Sequence, residues 1–341
     1  MTTIRLTVFP ENLERNFRLL QRRYPETEVA AVVKANGYGL GIGNVVPPLV
    51  RAGCGTFFVN RFGEGVSVRR QAPESVVYVL DAFAGSDTAE DYEKHDLTPV
   101  FSTIEALERY PEKQNIAVRL DTGFNLAGID ARDEAAVSRA LKGRPVSLLM
   151  AHLSCSERPD DPKNKEQLAL FSKYAAMFPK AKKSLAASFG AALGKEYLFD
   201  MIRAGAALYG SSALPDSLPA AELTAKIGWL NWREAGESIG YNDAVVLKKK
   251  TLVASVLAGA GDGIVHKAGC FVRFKNTLLP VLAAPTTNYL PVDATAVAGC
   301  IRAGDEVSLF DAVYTPDKLA ADAGTGIGAD VLIRLNASSF L

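Results

Sequence analysis

The stretch that decides the reading is Val29-Ala30-Ala31-Val32-Val33-Lys34-Ala35-Asn36-Gly37-Tyr38-Gly39. Five apolar residues in a row suit a strand buried on both faces, as parallel strands are. The run ends in a lysine and a glycine-rich turn. Further apolar runs follow at 56–60, 76–80, 98–102, 116–121, 146–153, 184–188 and 206–209. Amphipathic stretches at 12–24, 104–110, 134–142 and 167–177 are interleaved with them. Eight strands alternating with helices predict an α/β fold, a (β/α)8 TIM-like barrel. A doubly wound open sheet fits the same alternation, but no GxGxxG follows the first strand to support it.

From about Leu223 helical periodicity fades. Short β-rich runs at 247–257, 269–274, 278–283, 306–310 and 331–335 take over, separated by Gly, Asp, Asn and Pro. The expectation is a barrel over residues 1–222 followed by an all-β domain over 223–341. The opening strand 3–8 precedes the first helix without a partner and is expected to join the β domain.

The chain has 341 residues, with 38 Lys+Arg against 38 Asp+Glu. A zero formal charge lacks the basic excess of a nucleic-acid footprint. Four cysteines without a CxxC pair offer neither a zinc site nor a disulfide framework and fit a reducing compartment. The N-terminal MTTIRLTVFPENLERN lacks the apolar stretch of a signal peptide, and no run reaches the roughly 18 apolar residues of a membrane span. A cytoplasmic protein without nucleic-acid or membrane partners is expected.

Catalytic groups of such barrels sit at the C-terminal ends of the strands. A lysine there is partly desolvated, which lowers its pKa and suits it to act as nucleophile or base. Lys34 holds that position, and Arg119-Leu120-Asp121-Thr122-Gly123 and His152, one of three histidines, end later strands. The loops after strands seven and eight often grip phosphate through backbone N–H groups. Ser188, Gly205 and Ala206 suit that role, and Arg203 carries a charge into the mouth that needs a partner. A strand-one lysine with a phosphate grip on strands seven and eight points to pyridoxal 5'-phosphate bound covalently to the lysine.

With VVKANGYG, RLDTGFN, MAHLSCSERPDDPKNKEQLALF, DMIRAGAALYG, GESIGYN and AGDEVSLF in order, the sequence resembles the alanine racemase family, barrel-type pyridoxal-phosphate racemases, over nearly its whole length. The resemblance implies an isomerase that interconverts L- and D-alanine by a two-base mechanism. Lys34 would hold the cofactor and act as one acid/base, and Tyr241 of GESIGYN as the other on the opposite face. Tyr38, Ser188, Gly205 and Ala206 would hold the phosphate. Arg203 would face the pyridine nitrogen and His152 would stack by the ring. Tyr241 would come from the partner subunit, which implies a head-to-tail homodimer with shared sites.

The sequence also departs from the family pattern. Leu126 stands where the family has an arginine that contacts the cofactor's phenolic oxygen and the substrate carboxylate. Arg119 replaces a lysine that is carbamylated in some members. Ser184 and Ala187 replace His and Asn, Ala260 replaces Tyr, and Thr286-Thr287 replace the pair whose backbone binds the substrate carboxylate. The C-terminal phosphate-touching tyrosine is replaced by Gly328 or Ala329. Thr287 is therefore the expected substrate-binding position of the β domain. Two alternatives stay open at this point: an enzyme of the same fold acting on another amino acid, and a non-catalytic cofactor-binding homologue.

Overall fold

The strand Glu28–Val32 lies between Met201–Ala204 and Thr56–Val59, and all three run parallel. Beyond Thr56–Val59 come Val76–Val79, Thr98–Phe101, Ile116–Asp121, Val146–Met150 and Lys182–Ser184, each parallel to the last. An isolated parallel bridge between Ala187 and Arg203 closes the ring. The computed structural model describes residues 3–83, 85–111 and 114–335, and among them these eight strands form the expected barrel. Alternate strand residues fill the interior: Ala30 and Val32 share one buried cluster with Phe58, Tyr78, Leu148 and Met150. Small side chains on one strand make room for the stacked rings of Phe58 and Tyr78, 4.8 Å apart.

Two barrel strands sit upstream of their expected places. The eighth is Met201–Ala204, and Ala206–Tyr209 is a 3-10 turn instead. Gly205, with φ −114° and ψ −93°, ends the strand. The apolar run after it is buried as a turn under the helix Pro10–Arg23, whose Asn16 side chain donates to the Leu208 and Leu218 carbonyls at 3.0 and 2.7 Å. The seventh strand stops at Ser184, which leaves Ser188 on a loop.

The second sheet has the order Thr277–Pro280, Phe271–Phe274, Glu306–Phe310, Ala221–Arg233, Thr251–Val256, Leu290–Asp293. The opening strand Ile4–Val8 pairs antiparallel with Ala221–Arg233, Ile4 opposite Ala225 and Val8 opposite Ala221. An antiparallel bridge from Val281 to Val292 curls the sheet's two ends together. The expected strand at 331–335 is not one. Gly328–Leu332 is a helix, started by Asp330, which accepts from the Ile327 N–H at 3.0 Å. A second helix, Pro316–Ala323, precedes it.

These terminal helices lock the sheet onto the barrel. Asp317 accepts from the Gly328 N–H at 2.7 Å and from the Ser212 N–H at 2.6 Å. The Leu332 carbonyl presses on Gly39, where a β-carbon would come within 2.3 Å of its oxygen.

Candidate active site

Lys34 leaves the end of the first barrel strand, and the backbone then turns left-handed. Ala35, Asn36, Gly37, Tyr38 and Gly39 all have positive φ, between 53° and 82°. Such backbone costs about 1–2 kcal/mol per non-glycine residue, so the turn persists only because its surroundings hold it. Glu64 accepts from the Asn36 N–H at 2.9 Å, and the Asn36 side chain accepts from the Ile42 N–H at 3.1 Å. The turn throws Lys34 into the barrel mouth and Tyr38 toward the loops after strands seven and eight.

The mouth is a cavity of about 630 Å³, the size of a small-ligand site. Lys34, Tyr38, His152, Ser188, Arg203, Gly205 and Ala206, the barrel residues singled out from the sequence, all line it. At one side a cradle is preformed. The buried Ser188 Oγ accepts from the N–H groups of Gly205 and Ala207, at 3.0 and 3.1 Å. With both acceptor positions taken, its own proton is free to be donated into the cavity. Ala206 opens a 3-10 turn, so its N–H has no partner within that turn. Burial, with the charge of Asp330, pushes the Tyr38 hydroxyl up to about 12, so it stays a donor.

The remaining groups are basic side chains. Arg203 is buried, and its two terminal nitrogens donate to the Ser184 carbonyl and hydroxyl (both 2.6 Å) and to the Ala151 (2.6 Å) and Leu185 (3.3 Å) carbonyls. Burial and the charge of Arg119 pull it down to about 9, which leaves it charged at neutral pH. His152 Nδ1 accepts from Arg203 at 3.4 Å. Burial, then Arg203, Arg119 and Lys34, pull that histidine down to about 3, so it is neutral. Lys34 is itself lowered, chiefly by burial and then by Arg119, against the opposing pull of Asp81 and Glu64. A lysine amine drawn toward neutrality in a desolvated pocket is a competent nucleophile and base. The geometry fits a ligand that combines a phosphate with an aldehyde-bearing ring.

Tyr241 and Thr287 are not part of this cavity. Tyr241 is 71% exposed on a turn flanked by Gly240, Asn242 and Asp243, all at positive φ. Thr287 and Ala260 are exposed on loops of the β domain, where the Gly261 N–H donates to the Thr287 carbonyl at 2.9 Å. Leu126 is 80% exposed at the cavity rim. Sequence reasoning missed Asp81, which lines the mouth, and Glu64, both of which act electrostatically on Lys34. Asp81 ends the third strand, a position that could have flagged it. Ile327 also lines the mouth, and it comes from the far end of the chain with no local signal.

Comparison with known proteins agrees with this geometry. Residues 8–213 match the family model for the alanine racemase N-terminal domain, and residues 220–339 that for the C-terminal domain. The chain is 34% identical to the biosynthetic alanine racemase of Agrobacterium fabrum, over 97% of this chain and 91% of that one. It is also 34% identical to an alanine racemase of a Ruegeria species, over 98% and 97%. The crystal structure of Bartonella henselae alanine racemase with covalently bound pyridoxal phosphate superposes with a TM-score of 0.89, at 26% identity, covering 98% of both chains. The chain belongs to the alanine racemase family.

Proposed function

We propose that this protein is a pyridoxal-phosphate-dependent racemase that interconverts L- and D-alanine. The observation that carries the reading is that a desolvated strand-end lysine and a preformed phosphate cradle open into one cavity. Lys34 holds the cofactor. Tyr38, Ser188, Gly205 and Ala206 hold its phosphate: Ser188 and Tyr38 by hydroxyl protons, Ala206 by its N–H, Gly205 by leaving the space that Tyr38 uses. Arg203, its terminal nitrogens spent on carbonyls and the Ser184 hydroxyl, would face the ring nitrogen and would not surrender a proton to it. The neutral His152 packs beside the ring. When bound, the cofactor supplies the electron sink that acidifies the substrate's Cα–H.

Inversion at Cα requires a proton removed from one face and another delivered to the opposite face. The Lys34 amine serves one face, its pKa lowered by burial and by Arg119. Tyr241 serves the other, and it does so from the partner subunit of a homodimer. This is supported by its exposure, its absence from its own chain's cavity, and the strained turn that presents it. The β domain also shows Trp229 and Tyr289, half exposed, their rings 5.4 Å apart edge to face. Exposed aromatic side chains on the domain that carries Tyr241 suit burial against a second copy. Thr287 would then bring its backbone to the partner's substrate. In this reading residues 1–222 bind the cofactor and 223–341 supply the second base, and the four free thiols suit a cytoplasmic setting.

The test is incubation of the cofactor-loaded protein with L-alanine in deuterated water, followed by chiral analysis and mass measurement. D-alanine carrying deuterium at Cα is the expected product. Loaded protein that yields no D-alanine overturns the reading, and a panel of small L-amino acids in the same assay would then reveal another substrate.

A further inference from the structure

Two guanidinium groups enter the barrel mouth, and they differ in one respect. Arg203 spends both terminal nitrogens on backbone carbonyls and the Ser184 hydroxyl. Arg119, half-buried at the end of the fifth strand, has a buried Nε without a hydrogen-bond partner among the described residues. No carboxylate among the described residues lies within ion-pair distance of it. The two that influence it from further off, Asp81 and Asp121, are otherwise engaged. Asp121 Oδ1 accepts from the N–H groups of Gly123, Phe124 and Asn125, at 2.8, 2.9 and 3.0 Å. Asp81 is exposed and accepts from the Asn60 amide.

A desolvated guanidinium left unpaired is costly, and its planar fork matches a carboxylate. Its position says which anion it awaits. The phosphate cradle is built from strands seven and eight, beside the Lys34 strand. In the closed ring Arg119 stands on the fifth strand, across the mouth from Lys34. An anion arriving there is a second one, carried by whatever reacts at Lys34. From this we infer that Arg119 is the group that binds the α-carboxylate of the amino-acid substrate and so orients Cα between the two bases. The inference rests on the racemase reading for the identity of the substrate, but its central test does not require turnover.

The experiment measures dissociation constants of two alanine fragments for the cofactor-loaded protein by calorimetry. Propionate keeps the methyl and the carboxylate, and 2-aminopropane keeps the methyl and the amine. Arg119→Gln is expected to weaken propionate by about tenfold or more while leaving 2-aminopropane within about twofold. Arg119→Lys, which keeps the charge without the fork, is expected to fall between. In turnover, the KM for alanine rises more than kcat falls in Arg119→Gln. Propionate binding within about threefold of the wild type overturns the proposal, as does an equal loss for both probes. If neither variant retains cofactor, Arg119 serves the cofactor rather than the substrate and the proposal also fails. Wild-type protein that binds propionate through Arg119 yet leaves L-alanine unchanged would sink the racemase reading alone.

Discussion

The Tyr38 hydroxyl takes the space that a side chain on Gly205 would fill: a β-carbon there would stand 2.5 Å from the tyrosine oxygen. The ring cannot swing aside freely, because Tyr209 packs against it with centroids 4.7 Å apart. The first and eighth strands thus meet at the cradle through a glycine that must stay bare. Gly205→Ala is expected to displace Tyr38 and weaken pyridoxal phosphate binding by about tenfold, the loss of one good hydrogen bond to a charged group. Equilibrium dialysis followed by absorbance reads this. Adding Tyr38→Phe should cost the alanine variant little more; a further full loss would mean that the two residues act separately.

Lys34→Ala should abolish covalent retention of the cofactor and racemisation without lowering the thermal midpoint of the cofactor-free protein. The wild-type amine is desolvated and faces the charges of Arg119 and Arg203, so its removal relieves repulsion. Borohydride reduction followed by peptide mass mapping checks the attachment point. A pyridoxyl group found on another lysine would contradict the assignment.

Mixing Lys34→Ala with Tyr241→Phe subunits should restore activity that neither parent has. In a dimer with shared sites, a hybrid pairs an intact lysine and an intact tyrosine in one of its two sites. Random exchange then gives about a quarter of the wild-type activity per chain. A verified hybrid as inactive as its parents would place both groups in one subunit's site.

Stability should fall with acid through His266. It is buried in the β domain, where Nε2 donates to the Leu309 carbonyl at 3.0 Å. Nδ1 has no partner among the described residues. Burial pulls it down to about 4, against about 6.5 in an unfolded chain. Between those values the unfolded state binds a proton that the folded state refuses. The stabilisation is therefore complete above pH 6.5 and is lost as the pH falls toward 4, by up to about 1.4 kcal/mol per unit. Urea unfolding at pH 7 and pH 5 should show a smaller loss in His266→Gln than in the wild type. Equal losses would assign the acid sensitivity to other groups.

The barrel was legible because its strands are buried on both faces and read as plain apolar runs. The same signal misled where burial came from a turn. Ala206–Tyr209 is as apolar as a strand, yet Gly205 breaks the backbone before it. Val331-Leu332-Ile333 likewise reads as a strand, but Asp330 starts a helix there. The longest strand, Ala221–Arg233, went unnamed although Ala221, Leu223, Ala225 and Ile227 are buried in strict alternation. Two of those four buried positions are alanines, so the period of two is weak at the domain join. Lys34, Ser188 and Gly205 were found because strand ends carry chemistry in barrels. That Arg119 is unpaired depends on which carboxylates are spent elsewhere, which no local pattern encodes.

The pressing of Leu332 onto Gly39 has a consequence for how the protein is made. The turn that aims Lys34 is strained, and part of its support is a carbonyl nearly three hundred residues downstream. A chain still emerging from the ribosome lacks that contact until Leu332 itself has been made. Chains that stop short of Leu332 are therefore expected to carry the reactive amine on a turn with less support and to retain pyridoxal phosphate less well.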